Sequence, residues 1–309
     1  MKKKNNILKL FVILFLLVSL TGCTKILKNS DGKAVTNKLT GQSLTQNILC
    51  QPTDKEIIKI YKKNDINIEK LPKCEELDIF SGDYDGLWTT IFVKPLAFVI
   101  IKLGTLFKNY GLAIILITLI IRLIMYPITK KTAMQSENMK KAKPELDYLE
   151  KKYKNKQDSD SMMLKSQEMM SIYKKYNINP MAGCLFSFIQ IPLFFAFYEA
   201  LNRLPAVFEG NFIGFKMGMS PMTGILNGNY QYIIIIILVI LATYLSFKLN
   251  STASMSKEQE QQMKLMTNMM LIFIAIASIN ISTGIAIYWI TNNTFTIIQN
   301  LIVKRRVVK

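Results

Sequence analysis

The sequence has no histidine among its 309 residues. This absence excludes imidazole metal ligands and histidine-dependent catalytic triads, because both need that side chain. Glycine-rich phosphate loops of the GxxxxGK[ST] or GxGxxG kind are also missing, which argues against a cycle driven by a nucleotide. We therefore expect that the protein is not an enzyme and that it needs no metal and no cofactor.

Acidic side chains are scarce, with 21 Asp and Glu against 39 Lys and Arg, for a net charge of +18. Half of the residues are hydrophobic, 19% are charged, and the mean hydropathy is +0.23. These values are typical of a polytopic membrane protein, in which basic residues gather in cytoplasmic loops. We therefore expect the lipid bilayer as a partner and no direct recognition of nucleic acid.

The amino terminus predicts a lipoprotein signal peptide over residues 1–22. Lysines precede a short apolar run, which ends in Leu20-Thr21-Gly22-Cys23 and has the form of a lipobox. We expect cleavage before Cys23 and lipidation of its thiol on the outer face of the membrane. An uncleaved anchor is the alternative.

Residues 23–85 are polar and lack the apolar periodicity of a recognisable fold, so we interpret them as an extracytoplasmic spacer. Cys50 and Cys74 lie within it. A disulfide is permitted outside the reducing cytosol, but two cysteines give no framework signature, so their pairing stays open.

Residues 86–108 are apolar but contain three lysines. Lys94, Lys102 and Lys108 fall within about 120° of one helix face when successive residues are placed 100° apart. This pattern predicts an interfacial amphipathic helix. A tilted transmembrane helix is the alternative.

A core of residues 109–303 contains the apolar segments that predict five transmembrane helices. They cover about residues 110–128, 182–202, 230–247, 265–277 and 281–303. With the lipidated start outside, five crossings put the basic tail (residues 304–309) and the basic segment 130–179 in the cytoplasm, as the positive-inside rule requires. A sixth span at residues 86–108 would invert every loop, so parity favours the interfacial interpretation.

Residues 130–179 predict a cytoplasmic αα-hairpin. Two helical stretches flank the polar turn from Asn155 to Ser161, and Pro144 suits the first position of a helix. Methionines on the return helix either pack the hairpin or offer an adaptable surface to apolar clients. A solvated loop is the alternative.

Arg122 is the residue most indicative of function, because it lies inside an apolar run about eight residues, or roughly 12 Å of helix, from Lys130. A guanidinium at that depth costs ~2.5–3.5 kcal/mol on insertion scales. A water-filled cavity would keep it hydrated, and Thr118, one turn earlier, would line the same cavity. The alternative is an arginine that extends its head towards the interface.

Other predicted spans also contain polar side chains: Ser187, Gln190, Tyr288, Trp289, Asn292, Asn293, Thr294 and Thr296. Hydrogen bonds between helices would explain any one of them. Together with Arg122 they indicate an aqueous groove. Glu199 is the nearest candidate counter-ion, but it lies near the opposite end of its span.

Several separated motifs resemble the YidC/Oxa/Alb family of membrane protein insertases. They are Ile120-Ile121-Arg122-Leu123-Ile124-Met125-Tyr126-Pro127, Gln167-Glu168-Met169-Met170, Asn179-Pro180-Met181-Ala182-Gly183-Cys184, Gln190-Ile191-Pro192-Leu193-Phe194, and Tyr288-Trp289 followed by Asn292 and Ile297-Ile298-Gln299. The resemblance extends over roughly residues 86–309. It implies an all-α membrane protein with five transmembrane helices around a hydrophilic groove, an interfacial helix and a cytoplasmic αα-hairpin, of the lipid-anchored Gram-positive type.

The resemblance also implies a function, which is the insertion and folding of nascent membrane proteins, alone or with the Sec translocon. It implies that Arg122, Thr118, Gln190 and Trp289 line the substrate groove, that the hairpin recruits clients and that the basic tail meets ribosomes. The expected location is the bacterial cell membrane. An anion transporter or channel is the alternative, because it too would place an arginine in a polar cavity, but the two halves show no internal repeat.

Overall fold

The structure is a computed structural model that describes residues 24–156, 158–179, 182–250 and 257–308. The expected signal peptide and the expected lipidation site at Cys23 lie outside the described residues. The helices are α1 (Lys55–Lys63), α2 (Gly86–Phe107), α3 (Tyr110–Tyr153), α4 (Ser159–Lys175), α5 (Ala182–Arg203), α6 (Pro205–Phe208), α7 (Pro221–Leu226), α8 (Tyr232–Asn250), α9 (Lys257–Asn280) and α10 (Thr283–Val308). Two short strands, β1 (Asn211–Phe212) and β2 (Phe215–Lys216), pair antiparallel.

The observed starts of α3, α5, α8 and α10 lie within two residues of the predicted ones, because each of these helices begins close to the start of an apolar run. Helix α9 begins at Lys257, eight residues before the predicted position, because a polar stretch of the same helix precedes its apolar part. Among the described residues, three helices are long and apolar enough to cross a bilayer: α2, α3 and the Tyr232–Leu249 part of α8. The apolar Lys264–Asn280 part of α9 is shorter. The chain is therefore a mostly helical protein with membrane-spanning character, and the count of five spans stays a prediction.

Helix α3 corrects one expectation. We predicted a new helix at Pro144, but α3 continues for 44 residues with both Pro127 and Pro144 inside it. A proline removes one backbone hydrogen bond, and here the helix on either side of it continues. The stretch that follows the apolar part is therefore a direct extension of the same helix.

By its internal contacts the described chain divides into two compact units. The first contains the described residues up to Thr118 together with Ile191–Ile236 and Ile279–Trp289. The second contains Leu119–Gln190, Ile237–Ser278 and the described part of Ile290–Lys309.

In the first unit, residues 24–85 form a small folded domain, which we call the amino-terminal domain. Its apolar core also contains Phe208, which belongs to α6. The full set of buried core residues is Leu27, Leu44, Ile48, Ile57, Tyr61, Ile68 and Phe208. A disulfide joins Cys50 to Cys74, which settles the pairing that the sequence left open. The segment that we expected to be a spacer is thus an ordered domain, and its core contacts are too distant in sequence to give a periodic pattern.

Arg203, at the end of α5, binds the amino-terminal domain. Its side chain is 2% exposed, and its guanidinium lies 2.9 Å from a carboxylate oxygen of Asp85 and donates to the Asn47 carbonyl at 2.7 Å. Glu199, one turn earlier, lies 3.7 Å from the same guanidinium and accepts from the Trp88 indole at 3.0 Å. The end of α5, the start of α2 and the amino-terminal domain therefore share one buried polar network.

The second unit contains α4 and the part of α3 from Leu119 onwards, and these two helices are paired. Their apolar contacts come from Met139, Ala142, Leu146, Tyr173 and Ile178. At the turn end, the Lys152 ammonium and the Tyr153 hydroxyl both donate to Glu168, and these bonds hold the pKa of that carboxyl below its usual value. Lys175, the last residue of α4, donates to Glu145, so a second polar bond lies beside the apolar core of the pair.

Candidate functional site

Arg122 lies in a buried polar site of the second unit. Its side chain is 2% exposed. The guanidinium Nε donates to Asn292 Oδ1 at 2.6 Å, and Nη2 donates to Gln190 Oε1 at 2.7 Å. Three helices therefore meet at the arginine, because α3 supplies Arg122, α5 supplies Gln190 and α10 supplies Asn292.

Both of these acceptors are uncharged amide oxygens. Hydrogen bonds from a charged donor are worth roughly 1.5–3 kcal/mol each, so two of them offset a large part of the cost of holding a guanidinium at this depth. An amide oxygen accepts a hydrogen bond without contributing a formal negative charge. Gln190 and Asn292 therefore orient the guanidinium and add no formal negative charge of their own.

A polar seam continues from Arg122 along α3 and α10. Thr129 on α3 donates its hydroxyl to the Gln299 amide oxygen on α10 at 2.9 Å. A cavity of about 20 Å³ lies beside this pair and is lined by Arg122, Thr129, Thr132, Ala133, Thr296, Gln299 and Asn300. A polar cavity of this size has room for about one water molecule. Buried polar groups therefore extend from the arginine along at least two further helical turns.

The other two predicted groove residues belong to the first unit. Thr118 is 1% exposed and donates its hydroxyl to the Ile114 carbonyl at 2.6 Å, so its contact is with the preceding turn of its own helix. The indole of Trp289 meets the Phe194 ring edge-on, with 5.2 Å between the ring centroids. The structure thus joins Arg122 directly to Gln190, whereas Thr118 and Trp289 make local contacts within the first unit.

Asn292 is not among the predicted groove residues, although it is one of the polar side chains of the last predicted span. Asn292, Thr296, Gln299 and Asn300 are all buried and recur at helical spacing on one face of α10. That periodicity of polar side chains inside an apolar helix was the available signal. This periodicity would have identified α10 as one of the helices that line the site.

Glu199 is not in the unit that contains Arg122, and its described partners are Trp88 and Arg203. Among the residues that the structure describes, no group of three or more His, Cys, Asp or Glu side chains is placed to hold a metal ion. The site around Arg122 thus consists of one guanidinium with amide and hydroxyl groups, joined by hydrogen bonds and buried among three helices.

Comparison with known proteins adds independent information. The family model described as 60Kd inner membrane protein matches residues 102–309 of the chain. A membrane protein insertase YidC of Oceanobacillus iheyensis is 34% identical over 239 residues, which cover 76% of this chain and 91% of that protein. The membrane protein insertase MisCA of Bacillus subtilis is 36% identical over 45% of this chain and 53% of its own length.

A solved structure described as an active YidC insertase with its first transmembrane domain resolved is also similar. It aligns with a TM-score of 0.43 and 20% sequence identity, over 81% of this chain and 50% of that chain.

Proposed function

Because the chain belongs to the YidC/Oxa/Alb family of membrane protein insertases, we propose that Arg122 receives the polar or acidic tails of nascent membrane proteins while they enter the bilayer. The observation that supports this role is the pair of neutral acceptors, Gln190 and Asn292, on the guanidinium. They orient the guanidinium, and neither of them adds a formal negative charge to the site.

The proposed mechanism needs no external source of energy such as nucleotide hydrolysis. A cation within the membrane domain lowers the cost of bringing a short polar tail across the hydrocarbon layer, because the tail exchanges water for a charged donor. The apolar segment of the client then gains ~0.8 kcal/mol per CH₂ as it moves into lipid. This gain releases the client. Thr118, Gln190 and Trp289 are the further groove-lining residues that we propose.

We also propose an arrangement of five transmembrane helices with α2 in the interface. Lys94 is 7% exposed and donates to the carbonyls of Gly82 and Asp83 at 3.4 and 3.2 Å, and Lys102 lies 3.5 Å from the Glu75 carbonyl. These lysines are eight residues, or roughly 12 Å of helix, apart. A polar domain bound along that length of α2 favours a helix that lies in the interface over one that crosses the hydrocarbon.

The same arrangement puts the amino-terminal domain and the lipidated Cys23 outside, and α4 with the basic tail in the cytoplasm. Three exposed methionines on α4, at positions 162, 163 and 170, support a role of the α3–α4 pair in recruiting apolar clients. The exposed Lys304 and Arg305 at the end of α10 suit contact with the ribosome. Action beside the Sec translocon belongs to the same proposal.

The test is complementation of cells depleted of their own insertase with variants at position 122, reading insertion of a small single-span client with an acidic tail. We expect Arg122→Lys to keep part of the activity, and Arg122→Ala and Arg122→Glu to lose it. Arg122→Ala removes two charge-assisted hydrogen bonds but also the burial cost of the guanidinium, about 2.5–3.5 kcal/mol, so the variant should still fold.

Arg203→Lys is the matched control, because Arg203 is also a buried arginine but is paired with carboxylates. It should alter stability without altering the preference for client tails of a given charge. Rescue by Arg122→Glu would count against the proposal. Anion flux through the purified protein in liposomes, with no cross-link between a client and residues beside Arg122, would favour a transporter instead.

A further inference from the structure

Two aromatic side chains of the amino-terminal domain project from the loop that precedes α2. Phe80 is 88% exposed and Tyr84 is 72% exposed. Leaving a phenylalanine in water forgoes most of its burial free energy, about 1.5–3 kcal/mol for a full side chain. A pair of such residues four positions apart therefore calls for a partner surface.

The loop holds Phe80 in place by hydrogen bonds. The Asp78 carboxylate accepts from the Phe80 backbone amide at 3.0 Å, the Ser81 hydroxyl accepts from the Asp78 amide at 2.9 Å, and the Ser81 amide closes the turn on the Asp78 carbonyl at 3.1 Å. Lys94 then binds the carbonyls of Gly82 and Asp83 and ties the loop to α2. The aromatic ring is thus presented by an ordered turn that is fixed to the helix.

Helix α2 continues this apolar surface. The side of α2 that includes Lys94, Ala97 and Ile101 is buried. The exposed hydrophobic side chains of α2 are Leu87, Ile91, Phe92, Leu106 and Phe107. The exposed aromatics of the loop and the first exposed apolar residue of α2, Leu87, are separated by only a few polar or glycine positions, so they lie close together along the chain.

We propose that Phe80 and Tyr84 insert into the headgroup region of the bilayer and seat the amino-terminal domain on the membrane surface. Aromatic side chains concentrate at that depth, where an apolar ring and a polar atom are both accommodated. A bilayer is the partner that these observations favour over another protein, because the loop leads within two residues of Tyr84 into a helix apolar enough to span or line a membrane. The proposal is independent of the role given to Arg122.

The experiment places a photoreactive benzophenone side chain at position 80 or 84 of the full-length chain in native membranes and identifies the adducts by mass. The matched control carries the same group at Lys63, an exposed position of α1 in the same domain. We expect lipid adducts at positions 80 and 84 and none at position 63. Protein adducts at position 80, no adduct there, or equal lipid adducts at positions 80 and 63 would overturn the proposal.

Discussion

Replacing Asn292 by Asp should leave the fold of the insertase intact and weaken its proposed preference for clients with acidic tails. The substitution is nearly isosteric and keeps an oxygen where Asn292 Oδ1 now accepts from Arg122 Nε at 2.6 Å. It adds a negative charge beside the guanidinium. We therefore expect Arg122 to form a buried ion pair with the new carboxylate and to lose much of its attraction for an acidic tail.

The separation between the two charges sets the magnitude of the expected loss of client binding. Two unit charges about 4 Å apart attract each other by ~4 kcal/mol at an effective permittivity of about 20. If half of this attraction is withdrawn from a client carboxylate, the loss of ~2 kcal/mol lowers its binding roughly 30-fold. Gln190→Glu should act in the same direction, because Gln190 accepts from the other side of the same guanidinium.

The assay compares two clients that differ only in their translocated tail, one acidic and one uncharged, in cells depleted of their own insertase. Asn292→Asp should reduce insertion of the acidic-tailed client far more than that of the uncharged one, and the purified variant should unfold at a temperature no lower than the parent. Gln262→Glu, an amide-to-carboxylate change at an exposed position of α9, controls for added charge. Equal loss for both clients, or no loss for either, would refute the reasoning.

Two further predictions concern the amino-terminal domain and the α3–α4 pair. The double substitution Cys50→Ser and Cys74→Ser should lower the stability of the amino-terminal domain by ~3.5 kcal/mol, because the disulfide closes a loop with a sequence separation of 24. Hydrogen exchange measurements should show faster exchange in residues 24–85 and unchanged exchange around Arg122. The α3–α4 pair should be insensitive to pH from neutrality down to about pH 5 and should loosen below the ordinary glutamate pKa of 4.5. The pKa of Glu168 is lowered, so its bonds to Lys152 and Tyr153 are lost only as the carboxylate is protonated. Distances between spin labels at the exposed positions Tyr148 and Leu164 would report this, and loosening already at pH 6 would contradict it.

The amino-acid sequence alone placed the apolar parts of the long helices and singled out Arg122. Both results depend on local patterns, since a run of apolar residues marks a helix that can lie in lipid and a charge inside such a run is rare enough to demand an explanation. The motifs that identify the family are local strings of the same kind. These features needed no knowledge of which helix packs on which.

Tertiary structure decided the partners. Arg122 meets Asn292, 170 residues away, and Gln190, 68 residues away, and no periodicity within α3 could indicate which amides would reach it. Lys94 contributed to an amphipathic pattern in the sequence, yet in the fold it is buried against the carbonyls of Gly82 and Asp83.

The amino-terminal domain shows the same division most clearly. Its core depends on a disulfide, on isolated bridges and on Phe208, which enters from a helix more than a hundred residues later in the chain. Helix periodicity depends on residues that are three and four positions apart, so it can be seen directly in the sequence. Contacts between distant segments arise only when the chain has folded, which is why the sequence suggested a spacer and the structure contains a domain.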